Sequence, residues 1–305
     1  MSEPQQREGA ESEPTALLAH TALGPPDATE TLILAHGILG SGRNWRSFGQ
    51  RLVAARRALR VVLVDLRGHG DSHGLSGPAT VDACATDLVA LGAFLATQPP
   101  LTGTAAARAD AAVATHTMVL VGHSFGGKVC AAAAALWPTP VRQLWVLDAP
   151  LGTRPPQSLH APQQSEVETL VAALTQIPMP TQQRSDVATA LKTRGFSAAL
   201  CAWMTTNVRR EAAGYVWRFD LDVVNELLAD YYTADLWPAF SLPRPGARHF
   251  LIRGDRSDRW TPADIARLAA LERAGRARDI VLENAGHWLH ADNPTGLLQL
   301  MIHHL

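Results

Sequence analysis

A chain of 305 residues can bury a large core, and its 47% hydrophobic and 18% charged residues exclude a natively disordered protein. Lysine plus arginine number 27 against 28 acidic residues, so no global charge draws the chain to nucleic acid or an anionic membrane. Cys84, Cys130 and Cys201 are too few and too far apart for a disulfide framework or a C-x-x-C zinc pattern, which leads to a reducing, cytoplasmic setting and no metal.

Residues 1–28 open with MSEPQQREGAESEP, a polar, acidic-leaning stretch. It reads as a disordered tail with neither a secretory signal nor an arginine-rich leader. Short apolar runs then recur at 31–35 (TLILA), 60–66 (RVVLVDL), 118–121 (MVLV), 143–148 (QLWVLD), 249–253 (HFLIR) and 279–282 (DIVL). Runs this short, rich in Val, Ile and Leu, suit strands buried on both faces, and none approaches the ~18 residues that would insert stably in a membrane. Helical spacing lies between them. Thr80 is placed to cap a helix carrying Val81, Cys84, Leu88, Leu91 and Leu95. Stretches 129–137, 262–274 and 295–304 are helical too.

Strands alternating with helices predict an α/β protein with a mostly parallel sheet covered on both faces. Two stretches break the rhythm. Residues 102–117 are small and polar, as in a surface insertion. Residues 151–245 contain no buried-strand pattern, only helical ones at 166–177, 187–194, 197–210 and 221–231. The expected layout is therefore a tail (1–28), a first core part (29–150), a helical cap (151–245) inserted before the next-to-last strand, and a second core part (246–305).

The chemistry-bearing residues all follow strands, where an open parallel sheet binds ligands. G-H-S-F-G (122–126) places Ser124 between a strand and a helix, the pattern of a nucleophile elbow. A serine hydroxyl needs a base to take its proton, and His287 in N-A-G-H-W is the candidate; a carboxylate must in turn orient that ring. The backbone N–H groups of Ile38 and Phe125 are the expected oxyanion hole. His36 reads as a brace for the Ile38 loop and His123 as a pocket wall. Asp65, Arg67 and the Gly68-His69-Gly70 turn read as architecture, and Lys128 as a lysine satisfied by its own partners. His290 has no ligand cluster around it. Trp203, Trp217, Tyr231, Tyr232 and Trp237 read as cap core, with one or two lining an acyl pocket.

Taken together, HGILGSGRNW (36–45), VDLRGHGDS (64–72), GHSFGGK (122–128), VLDAP (146–150), YVWRFDLD (215–222) and NAGHWLHADNP (284–294) resemble the α/β-hydrolase superfamily. Within it they resemble the small esterases grouped with mammalian abhydrolase domain-containing protein 11 and its bacterial relatives. The resemblance implies the α/β-hydrolase fold and hydrolysis of short- to medium-chain carboxylic esters, or thioesters, through an acyl-enzyme without a cofactor. It leaves the acid open: bacterial relatives point to Asp148, the superfamily's common position to the alternative acid Asp258, and the mammalian member to Asp222. Two other functions stay open beside the esterase, a non-hydrolytic ligand receptor on the same fold and a cofactor-free perhydrolase. The expected partner is a small-molecule ester or thioester, not nucleic acid.

Overall fold

The computed structural model describes residues 16–97, 117–154, 166–240 and 244–305. Most of the expected tail (1–15) and nearly all of the expected insertion (102–116) lie outside the described residues.

The apolar runs are strands: β1 (His20–Leu23), β2 (Glu30–Ala35), β3 (Leu59–Val64), β4 (Thr117–His123) and β5 (Gln143–Leu147). A separate antiparallel hairpin follows, β6 (Val208–Glu211) with β7 (Gly214–Trp217), and then β8 (Arg248–Gly254) and β9 (Arg278–Leu282). The main sheet runs β1-β3-β2-β4-β5-β8-β9 and is parallel throughout except for β1, which pairs antiparallel with β3.

Successive strand residues point to opposite faces, so a continuous apolar run feeds two cores at once. Ile33, Val62, Val64, Leu120, Leu144 and Val146 face one core. Leu32, Leu34, Val61, Leu63, Val119, Val121, Trp145 and Leu147 face the other. The first core is closed by α2 (Val81–Thr97) and α3 (Phe125–Leu136), the second by α1 (Arg46–Ala55) and the chain-terminal helix Pro294–His304.

Between β5 and β8 the described elements are α4 (Glu166–Thr175), α5 (Arg184–Lys192), α6 (Ala198–Thr206), the β6–β7 hairpin and α7 (Leu221–Thr233). Lys128, fully buried on α3, ties this segment to the sheet. Its ammonium donates to the carbonyls of Gly152 (2.8 Å), Tyr231 (2.7 Å) and Ala234 (2.8 Å) and lies 4.4 Å from the Tyr231 ring centre. Burial, with Arg154 adding to it, lowers its pKa to about 8. The sequence reading of a partner-satisfied lysine holds.

Three local differences have physical reasons. His20–Leu23 lies within the expected tail yet is a strand; it is short, mostly exposed and at a sheet edge, so it carries no apolar signal. Residues 197–210 were expected to be one helix, but α6 stops at Asn207, and Val208–Glu211 pairs with β7. The α1 helix buries only Phe48, Gly49 and Leu52, too thin an apolar stripe to stand out. Among the described residues, no helix is long and apolar enough to cross a membrane.

Candidate active site

Ser124 sits between β4 and α3 with φ 52° and ψ −119°, a conformation rare for a residue with a side chain. The turn is enforced by its neighbours. A Cβ on Gly122 would lie 2.0 Å from the Gly126 carbonyl oxygen, and one on Gly126 would lie 2.5 Å from that of His36. Only glycine fits at either side of the serine. The Ser124 N–H donates to Leu147 O (2.9 Å), which fixes the elbow to the end of β5.

Asp148 follows directly. It too has positive φ, 49°, and its carboxylate is fully buried. Four groups donate to it: His287 Nδ1 (2.7 Å), Ser257 Oγ (2.6 Å), Trp260 Nε1 (2.8 Å) and the Gly254 N–H (3.3 Å). A carboxylate so buried and so fully hydrogen-bonded is held in one orientation, with its acceptor sites satisfied by protein donors in place of water. His287 Nδ1–H to Asp148 leaves Nε2 to accept, and Nε2 lies 3.1 Å from Ser124 Oγ. Hydroxyl, imidazole and carboxylate form one hydrogen-bonded line.

The loop bearing His287 is held from several directions. His123 donates from Nε2 to the His287 carbonyl (2.7 Å), and its ring lies tilted at 42° to that of His287 with 4.7 Å between centres. Burial first, then the neighbouring His287 and His290, push the His123 pKa well below its ordinary value, so it is a neutral wall. Asp255 Oδ1 accepts from the Ala285 N–H (2.9 Å) and Asp292 Oδ2 from that of Gly286 (2.8 Å).

A second pair of histidines holds the Ile38 loop. His36 Nδ1 donates to Gly37 O (2.8 Å), and its Nε2 accepts from the Leu66 N–H (2.9 Å). His69 Nδ1 donates to Arg67 O (2.9 Å), and its Nε2 accepts from the Leu39 N–H (3.1 Å). Burial lowers their pKa values to about 4 and about 3, and each hydrogen-bond pattern requires the neutral ring. Asp65 accepts from the N–H groups of Gly42 and Asp71, and Arg67 grips Asp87 with two bonds, as architecture would. Among the described residues, no hydrogen bond uses the N–H of Ile38 or of Phe125.

Of the three candidate acids, only Asp148 meets His287. Asp258 is 88% exposed and faces Arg259, and Asp222 is exposed on the first turn of α7. The loop that carries Asp258 supplies Ser257 and Trp260 instead, donors to the acid that follows the neighbouring strand. Their signal was in the sequence, a hydroxyl and an indole beside the presumed acid position, but nothing in one chain says which carboxylate they serve. Arg259 and Trp288 were likewise unread as site residues. Among the described residues, no group of three or more His, Cys, Asp or Glu side chains converges to hold a metal.

Ser124 and His287 line a small cavity of about 40 Å³ together with Ile38, Leu170, Leu200 and Trp203. A larger one of about 520 Å³ shares Glu166, Leu200, Trp203 and Trp288 with it. The two indoles meet edge to face, with 4.7 Å between centres at 69°. They stand between the serine and the larger space.

A mostly parallel sheet with a glycine-flanked serine at its carboxyl edge, beside a cavity lined by Leu170 of α4 and Trp203 of α6, defines the class of fold and site. The chain belongs to the alpha/beta hydrolase family, whose model matches residues 32–300. It is 30% identical over 275 residues to the mouse (Mus musculus) sn-1-specific diacylglycerol lipase ABHD11, covering 88% of this chain and 78% of that protein. It is 27% identical over 271 residues to lipase LipV of Mycobacterium tuberculosis, covering 88% of this chain and 91% of that one. The structure of an esterase from a marine microorganism matches with a TM-score of 0.75 and 25% identity, covering 95% of this chain and 99% of that one.

Proposed function

We propose that this protein is a serine hydrolase that cleaves short- to medium-chain carboxylic esters or thioesters through an acyl-enzyme. The observation that carries the reading is the unbroken line from Ser124 Oγ to His287 (3.1 Å) to Asp148 (2.7 Å) at the wall of an apolar cavity. In this mechanism Ser124 Oγ attacks the ester carbonyl as His287 Nε2 takes its proton, and Asp148 stabilises the imidazolium. The amides of Ile38 and Phe125, which have no other acceptor among the described residues, receive the oxyanion. Collapse expels the alcohol or thiol, which takes the proton from His287. Water then surrenders a proton to the same nitrogen, attacks the acyl carbon and releases the acid, restoring Ser124.

The lipase and esterase names of the relatives support the ester as substrate. The cavity beside Ser124, about 40 Å³, favours a short acyl group over the chains of a diacylglycerol. Replacing Ser124→Ala is expected to abolish turnover of 4-nitrophenyl acetate and butyrate together with fluorophosphonate labelling. Retention of both in a folded variant would remove the mechanism.

A further inference from the structure

A guanidinium stands in the cavity wall beside the serine and, among the described residues, has no hydrogen-bond acceptor. Arg259 lines the same small cavity as Ser124 and His287, and its side chain is only 19% exposed. Its buried Nε makes no hydrogen bond among the described residues. The carboxylate of Asp258 lies 3.4 Å from Nε, out of hydrogen-bonding alignment, and is itself 88% exposed. Among the described residues no acceptor for either Nη group is found. A charge withdrawn this far from water is costly unless something negative meets it.

Beyond the solvent-exposed Asp258 carboxylate, the described residues bring no further negative group to the guanidinium. Asp148 is buried nearby, but its oxygens are occupied by His287, Ser257, Trp260 and the Gly254 amide. Glu166 lines the cavity as an exposed residue and makes no ion pair with Arg259 among the described residues. A second guanidinium adds to the positive field: Arg154 also has buried Nε and Nη2 atoms without an acceptor. Burial pushes the Tyr231 hydroxyl up to about 12, and Arg154 and Arg259 both pull against that rise. Two cations therefore act on one half-buried tyrosine beside Phe125.

We infer that Arg259 is a substrate-binding residue, and that the preferred esters carry a second, negatively charged oxygen group within reach of the scissile carbonyl. A planar guanidinium fork matches a carboxylate or phosphate with two parallel hydrogen bonds, a geometry no neutral alkyl chain uses. The inference rests on the hydrolase reading above and narrows its substrate class to anionic esters, charged on the acyl or the alcohol side.

Pairs that differ by a carboxylate in place of a methyl group, followed by pH-stat, separate these sources. Monomethyl succinate against methyl butyrate places the charge on the acyl side, and butyryl glycolate against propyl butyrate places it on the alcohol side. For the wild type, kcat/KM is expected to favour the anionic member of one pair. In Arg259→Gln that ratio is expected to fall about ten- to hundredfold, the effect of losing a hydrogen bond to a charged group, with Arg259→Lys recovering part of it. Calorimetric binding of monomethyl succinate and butyryl glycolate to Ser124→Ala, with and without Arg259→Gln, reads the contact where no turnover occurs. Binding that Arg259→Gln abolishes supports the anion site even if wild type proves to hydrolyse no ester, a result that would sink only the hydrolase reading. Ratios that favour the neutral member of both pairs and are unchanged by Arg259→Gln would overturn the inference while leaving that reading intact. Equal binding with and without the guanidinium would overturn it as well.

Discussion

Asp148 illustrates how a single side chain acquires its role from its neighbours. Its left-handed backbone turns the carboxylate from the end of β5 toward His287, and donors from the loop after β8 hold it there. Ser257 and Trp260 leave the oxygen that faces the imidazole no freedom to rotate. Exchange of Asp148→Asn replaces an acceptor by an amide that favours the wrong tautomer of His287. A kcat loss of about 10⁴ is expected. Asp258→Asn, at an exposed carboxylate, is expected to leave steady-state rates within about twofold. Ester hydrolysis by the two variants in parallel decides the matter, and the reverse order of losses would reassign the acid.

At the scale of elements, α6 and the loop after His287 meet through Trp203 and Trp288. These indoles meet edge to face, and both line the serine's small cavity as well as the larger one beside it. Trp203→Ala removes the α6 half of that wall and joins about 40 Å³ to about 520 Å³. The optimum acyl length across a series of 4-nitrophenyl esters is then expected to lengthen by several carbons, each newly buried methylene contributing about 0.8 kcal/mol. An unchanged chain-length profile would show that acyl chains do not take that route. The sequence displayed the parallel strands plainly because each is an apolar run feeding two cores. It displayed Ser124 and His287 because glycines at fixed spacing mark the one turn and the N-A-G-H-W motif the other. The indole wall, the Ser257 and Trp260 donors and the open Arg259 fork depend on how remote loops pack. Residue order shows that such side chains are there but not which groups they meet, and the edge strand His20–Leu23, held by backbone bonds, left no apolar signal at all.

For the molecule as a whole, neutral buried histidines link stability to acidity. Burial lowers His36 and His290 to about 4 and His69 to about 3, against 6.5 for an unburied ring. As pH falls below about 6.5 the unfolded chain takes up these protons first, so unfolding becomes easier; above about 6.5 the contribution is complete. Each ring costs at most about 1.4 kcal/mol of stability per pH unit until its folded pKa is reached. Thermal midpoints are therefore expected to drop steeply between about pH 6.5 and 4, whereas a flat profile across that window would mean these rings are not buried neutral. The same protonation would strip the Leu39 and Leu66 amides of their acceptors and loosen the Ile38 loop, so ester turnover should decline with stability.

The most direct measurement is a rapid acid quench of the enzyme with 4-nitrophenyl butyrate, followed by peptide mapping of the trapped protein. A butyryl group is expected on Ser124 and on no other residue, and none should form in Ser124→Ala. A butyryl group on another side chain, or turnover with no acylated serine at any quench time, would contradict a covalent route through the hydrogen-bonded line of Ser124, His287 and Asp148.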